Sequence, residues 1–177
     1  MKRAILSLIF PLFFLLLVLP SFSSEGYQIK FKINGKKDTT CLIAYYYSNG
    51  TYIKDTLKLD GSGRCSYTPS ADIKPGLYLF VISDKVYFDF VINNDKKFSM
   101  ETRADDPSSH MIIKDSPENK LFYEYLTYNR TQYNEIQRIQ DQYTSMGEPK
   151  DSAQYFADRI NKINKDMIAY KLDLAAK

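Results

Sequence analysis

The sequence predicts a mainly β antiparallel sandwich or open barrel followed by a C-terminal α-helical hairpin, an α+β arrangement with its two parts segregated. Three observations predict it. Between residues 27 and 114 apolar and polar residues alternate in short runs. Gly, Asn, Asp and Pro clusters punctuate those runs about every 8–12 residues, the spacing of an all-β domain. From residue 116 onward the apolar period changes from two to three-and-four, and no segment reads as a strand.

The chain begins MKRAILSLIFPLFFLLLVLPSFSSEG. Lys2 and Arg3 form a basic start, Ala4 to Leu19 an apolar stretch, and Ser21-Phe22-Ser23 a small-residue cleavage site after Pro20. This is the layout of a secretory signal peptide, residues 1–23. The alternative is a permanent anchor. A membrane span needs ~20 uninterrupted apolar residues, whereas this run is shorter and contains Pro11. A lipoprotein signal places a cysteine at the cleavage site, and the first cysteine here is Cys41, so no lipid anchor is expected. The protein is expected in the periplasm or cell envelope, with a β-domain over 24–115 and the hairpin over 116–177.

Within the β-domain, Tyr27, Ile29, Phe31 and Ile33 alternate with Gln28, Lys30 and Lys32, which marks a half-buried strand ended by Asn34-Gly35. Residues 40–47 and 51–59 form a hairpin across Ser48-Asn49-Gly50, with Asn-Gly suited to positive φ. After Asp60-Gly61-Ser62-Gly63, residues 64–68 make a short strand with Cys65 and Tyr67 on one face. A loop, PSADIKPG, leads into LYLFVI (77–82) and VYFDFVI (86–92), a hairpin with a tight turn. Residues 97–103 alternate once more, and HMIIK (110–114) is the last short strand.

The helical part opens SPENKLFYEYLTY. Ser116 suits the N-cap, Pro117 the first helical position, and Glu118 the positive end of the helix dipole. Phe122, Leu126, Asn129, Tyr133, Ile136, Gln140 and Tyr143 step along one face. Gly147-Glu148-Pro149 breaks the helix, and Asp151 or Ser152 is positioned to cap a second. There Ala153, Phe156, Ile160, Ile163, Met167, Tyr170 and Leu174 form a cleaner stripe. A short connector makes the two helices antiparallel neighbours.

Composition excludes some functions. Loss of Lys2 and Arg3 leaves 22 basic against 21 acidic residues, a net charge of +1, which is no footprint for nucleic acid. The 15 tyrosines and absence of tryptophan suit strands with one wet face. Cys41 and Cys65 are an even pair in an oxidising compartment, which permits a disulfide; the alternative is two small buried thiols. With 23 residues between them they are no CxxC redox pair.

No catalytic constellation is present. His110 is the only histidine and reads as a surface residue at a strand start. Gly61 and Gly63 lack the Lys-Ser/Thr of a phosphate loop, and Asp105-Asp106 lacks further ligands for Ca²⁺. No cofactor is implied. Two other features are candidates. Tyr45, Tyr47, Tyr52 and Tyr87 are candidates for a face that stacks on glycan or peptide, although successive strand residues point to opposite sides. The triplets beginning at Asp38, Asp55 and Asp151 are similar to an Asp-Ser/Thr-small-apolar O-glycosylation motif of some Gram-negative envelopes, making Thr39, Thr56 and Ser152 candidate acceptors.

Taken in order, YQIKFKINGKKDTT, YYYSNGTYIKDT, PGLYLFVISDKVYFDFVIN, KFSMET and SPENKLFYEYL resemble the N-terminal module of TlpA-like thioredoxin-family proteins of Gram-negative envelopes. The resemblance implies a domain of unknown function followed by helices that lead into a thioredoxin fold with a Trp-Cys-x-x-Cys site. Here there is no tryptophan and no cysteine beyond Cys65, so the redox chemistry transfers to no residue of this chain. The expected role is therefore a non-catalytic exported module. It would position or dock a partner, either a thioredoxin-like domain or a second copy, through the hairpin. The alternative is a stand-alone β-domain that binds glycan or peptide with its tyrosines.

Protein recovered from an exporting host is expected to begin at Ser24, as read by intact mass. A chain that retains Met1 would refute the signal peptide.

Overall fold

The structure, a computed structural model, describes residues 26–70 and 73–176. The proposed signal peptide and its Ser21-Phe22-Ser23 cleavage site lie outside the described residues. Eight strands precede two helices: β1 (Gln28–Asn34), β2 (Thr40–Tyr47), β3 (Gly50–Lys58), β4 (Arg64–Tyr67), β5 (Gly76–Ser83), β6 (Val86–Ile92), β7 (Lys97–Arg103), β8 (Ile112–Lys114), α1 (Pro117–Ser145) and α2 (Lys150–Ala175). The strands form two four-stranded sheets, ordered β4-β1-β7-β8 and β3-β2-β5-β6, and neither closes into a barrel. Among the described residues, no helix is long and apolar enough to cross a membrane.

The sandwich follows from the alternation. Ile29, Phe31 and Ile33 of β1 are buried, as are Phe88, Phe90 and Ile92 of β6 and Phe98 and Met100 of β7. Their side chains meet between the sheets, where the Phe31 ring lies 4.4 Å from Phe80 and 5.3 Å from Phe90. Each large side chain so buried contributes about 1.5–3 kcal/mol.

One departure from the expected antiparallel arrangement lies in the first sheet, where β1 runs parallel to β7. A parallel pair needs a long crossover. The whole run from β2 to β6, nearly all of it in the other sheet, supplies one, and no local turn signal encodes it.

Turns carry their own constraints. Gly63 has φ +76°, and a Cβ there would come within 2.5 Å of the Lys36 carbonyl oxygen and 2.6 Å of that of Ile33, so only glycine fits. In the β2–β3 hairpin it is Ser48 that takes positive φ (53°), not the Asn-Gly pair, because Gly50 already pairs with Tyr47.

Helix α1 starts as the residues require. Ser116 is the N-cap: its Oγ accepts from the Asn119 amide N–H at 3.1 Å and donates to Asp95 at 2.7 Å. The helix ends in a Schellman motif, with Gly147 at φ +76° donating to Thr144 O and Glu148 donating to Tyr143 O. Helix α2 differs from expectation at its start. Pro149, not Asp151 or Ser152, occupies the N-cap and offers no side-chain bond; Ser152 N–H instead donates to Pro149 O.

The α2 stripe is as expected. Phe156 and Leu174 are buried, and Ala153, Ile160, Ile163, Met167 and Tyr170 are half-buried along α1. Tyr128 and Tyr170 lie 3.9 Å apart and Tyr143 and Phe156 5.1 Å apart, joining the two helices. The α1 stripe is as expected in part. Phe122, Leu126, Asn129, Ile136 and Tyr143 are half-buried, but Tyr133 and Gln140 are exposed, and the fully buried residues are Asn119, Tyr123 and Ile139, off the stripe. The reason is that its first turns face a sheet as well as a helix.

That contact is with β6, the edge strand of its sheet. Asn119, fully buried, accepts from Val91 N–H at 2.7 Å and donates to Val91 O at 2.9 Å. Its side-chain amide thus takes the place of a neighbouring strand. Tyr123 adds a bond from its hydroxyl to Asp89 O at 3.0 Å. Around them Glu118 accepts from Asn93 and from the backbone and side chain of Asn94, and Asp95 accepts from Glu118 N–H. The hairpin, about 43 Å long at 1.5 Å per residue, is therefore clamped to the sandwich at its root.

Asn119→Ala leaves both polar groups of Val91 without their partner, and a cost of roughly 2–3 kcal/mol is expected. Urea unfolding monitored by circular dichroism checks this; an unchanged midpoint would show that water replaces the amide without penalty.

Candidate functional site

The open rim of the sandwich carries the molecule's aromatic surface. On β2, Tyr45 lies opposite Tyr52 of β3 and Tyr78 of β5, and Tyr78 lies opposite Phe90 of β6. Residues directly opposite in a sheet share a face. Tyr45, Tyr52 and Tyr78 therefore continue the face that deeper in becomes the core, and Tyr47, two residues on from Tyr45, extends it outward. The rings make a chain from Phe90 to Tyr78 (5.9 Å), to Tyr45 (6.3 Å), to Tyr52 (5.8 Å) and to Tyr47 (6.3 Å). Exposure rises along it, from 5% at Tyr78 to 67% at Tyr47.

Tyr87 does not join the other three predicted tyrosines. It alternates with the buried Phe88 and so lies on the outer face of the sheet. Tyr46 is on that face too, and its hydroxyl donates to Asp89 at 3.0 Å. Burial, with Asp89 beside it, pushes the Tyr46 phenol up to about 12. Burial also raises the Asp89 carboxyl, against the Tyr46 hydrogen bond that lowers it.

Beside the three tyrosines is a cleft of 480 Å³, lined by Tyr45, Tyr46 and Tyr47, by Lys54, and by the segment Lys74 to Tyr78. A β-bulge between Ile43 and Ala44 of the β2–β3 pair places Lys54 at its wall. The Tyr78 hydroxyl donates to Lys74 O at 2.7 Å, which holds the Lys74-Pro75 approach against β5. The volume lies within the range of small-ligand pockets, about 300–1,000 Å³.

Of the candidate tyrosines, Tyr45 and Tyr47 line this cleft and Tyr52 stands beside them on the same face; Tyr78, Lys54, Lys74 and Leu77, which also line it, carried no sign in the sequence. A period-two pattern shows which side of its own strand a residue takes. It does not show which residues of other strands stand beside it.

The remaining candidates are dispersed. Cys41 is buried and Cys65 half-buried, on strands of opposite sheets, and both are free thiols in the structure, so the bridge that an even count permits is not formed in it. Burial raises both thiols; Cys65, with Cys41 and Asp60 nearby, is pushed up to about 12. Thr39 is half-buried before β2, Thr56 is exposed on edge strand β3, and Ser152 is half-buried in the first turn of α2. His110 is exposed. Among the described residues no group of three His, Cys, Asp or Glu side chains is placed to hold a metal.

Comparison with protein families matches residues 27–122 to a domain of unknown function, DUF4369. That range spans the eight strands of the described residues and the start of α1, including Asn119, which grips β6, and ending just before Tyr123. A search of curated proteins finds no match.

The buried thiols set an expected reactivity. A shift of Cys65 from 9.0 to about 12 lowers its thiolate population at a given pH by about three orders of magnitude. Alkylation by iodoacetamide at pH 8, followed by mass, is expected to run at least ~100-fold slower on the folded chain than in urea. Equal rates would show that the thiols are open.

Proposed function

Since this chain belongs to the family described as a domain of unknown function (DUF4369), we propose its role from its geometry: a non-catalytic exported module that positions a partner domain. The β-sandwich is the platform and the hairpin is the arm. The observation that carries this reading is the clamp at the root of α1, where Asn119, Glu118, Asp95 and Ser116 tie the helix to β6 and the loop after it. An arm held at one end presents its outward surfaces in a fixed direction. On α2 that surface includes Ile168 and Leu172, in the half of the helix that returns toward the sandwich, one turn apart and 61% and 65% exposed. The order of motifs resembles the N-terminal module of TlpA-like proteins, which makes a thioredoxin-like domain the first partner to test and a second copy the next.

The test is a titration of the chain with a thioredoxin-like domain carrying Trp-Cys-x-x-Cys, read by calorimetry and gel filtration. A complex is expected, and Ile168→Asp with Leu172→Asp is expected to weaken it at least ~10-fold with the melting temperature unchanged. The chain alone is expected to give no insulin reduction. Absence of a complex with both that domain and a second copy would overturn the reading, as would turnover by the chain itself.

A second reading is favoured by the rim cleft. Its tyrosines, open hydroxyls and lysines are the equipment of a binding site for glycan or peptide. The two readings occupy different surfaces and do not compete.

A further inference from the structure

The cleft also carries information about what it would bind, an inference that rests on the binding reading just given. Lys54 and Lys74 line it, and among the described residues no carboxylate does. Among the described residues neither ammonium has a hydrogen-bond or ion-pair partner. The acid next in sequence to Lys54 is Asp55, whose Oδ1 accepts from Thr56 N–H at 2.7 Å. Two unpaired cations beside one cleft favour an anion there.

The rest of the lining selects the anion's other parts. The rings of Tyr45 and Tyr47, with Leu77 and Pro75, offer flat apolar surface. The hydroxyls of Tyr45 and Tyr47 make no hydrogen bond within the described residues, whereas that of Tyr78 is occupied by Lys74 O. A ligand is thus met by apolar faces, by free phenols that donate or accept, and by positive charge.

An extended peptide would draw much of its affinity from an unpaired strand edge. The strands flooring the cleft offer none, since β2 is bonded to β3 and β5, and β5 to β2 and β6; β3, which brings Lys54 to the wall, is an edge strand, but its free edge is the one away from β2. A sugar ring needs no such ladder, because its C–H face stacks on tyrosine and its hydroxyls reach the phenols. We propose that the cleft binds an anionic sugar, the ring on Tyr45 and Tyr47 and the acidic group between Lys54 and Lys74.

Calorimetry on the chain from residue 24 onward, with trigalacturonate and its neutral counterpart galactotriose, tests this. Trigalacturonate is expected to bind about tenfold or more tightly than galactotriose, with affinity falling as salt is raised. Lys54→Gln with Lys74→Gln is expected to bring the acidic sugar down to the neutral level. Tyr47→Ala, at an exposed ring, is expected to weaken both sugars without lowering the melting temperature. Equal binding of the two sugars, or indifference to the lysine substitutions, would overturn the anionic assignment while leaving the cleft a binding site. Binding of hexaglutamate in place of either sugar, lost with Tyr47→Ala, would do the same and transfer the site to acidic peptides. No binding of any of the three probes would overturn both the sugar inference and the binding reading beneath it.

Discussion

Val91 sits at the outer edge of β6, where a sheet ordinarily ends in unpaired N–H and C=O groups. Such an edge attracts any other strand, and folded proteins cover it. Here the cover is one amide side chain. Asn119 presents an acceptor and a donor in the spacing of a peptide group and satisfies both Val91 atoms. Being fully buried, it leaves Val91 no ready substitute. The helix that carries it must start at one place and in one direction. Ser116, Asp95 and Glu118 then complete the junction with partners already fixed by the β6–β7 turn. The hairpin's orientation thus depends on a single strand edge.

At the sandwich rim the core simply continues outward. Phe90, Tyr78, Tyr45 and Tyr47 belong to one run of rings, dry at one end and wet at the other. The substitution of tyrosine for phenylalanine along that run matches the gradient of water, since a phenol carries its own polar group to the surface. The floor of such a cleft is shaped by core packing, with Lys74 and Pro75 of the loop before β5 at its side. Its chemistry is that of phenols and ammonium groups, which meet a ligand by stacking, hydrogen bonding and positive charge. The thiols lie in the strands of the sandwich, where burial keeps them protonated.

These two features divide the molecule's surfaces. The arm offers exposed apolar side chains, Ile168 and Leu172, on a helix pair. The rim offers hydroxyls and positive charge in a concavity, suited to a small polar ligand. The family match covers the sandwich and the root of the arm together, and the root is where Asn119 joins them.

Much of this was legible in the sequence, and the reason is local. Alternation located seven strands to within one residue, and the first strand's buried face of Ile29, Phe31 and Ile33 was read correctly, because period two reports which side of a strand is dry. Ser116-Pro117-Glu118 announced α1, and the α2 stripe named the residues that pack on α1. The last strand was shorter than expected, Ile112–Lys114, and the parallel pairing of β1 with β7 had no local sign. Nor did the full burial of Asn119, Tyr123 and Ile139 beside the α1 stripe. Nor did the separation of Tyr87 from Tyr45, Tyr47 and Tyr52, or the arrival of Lys54 and Lys74 beside them. Periodicity, caps and turn residues depend on neighbours a few positions away, so the sequence by itself determined where the elements are and which faces they bury. Which strand lies beside which, and therefore which side chains share a cleft, is settled by contacts between residues tens of positions apart, and only the tertiary structure decided it.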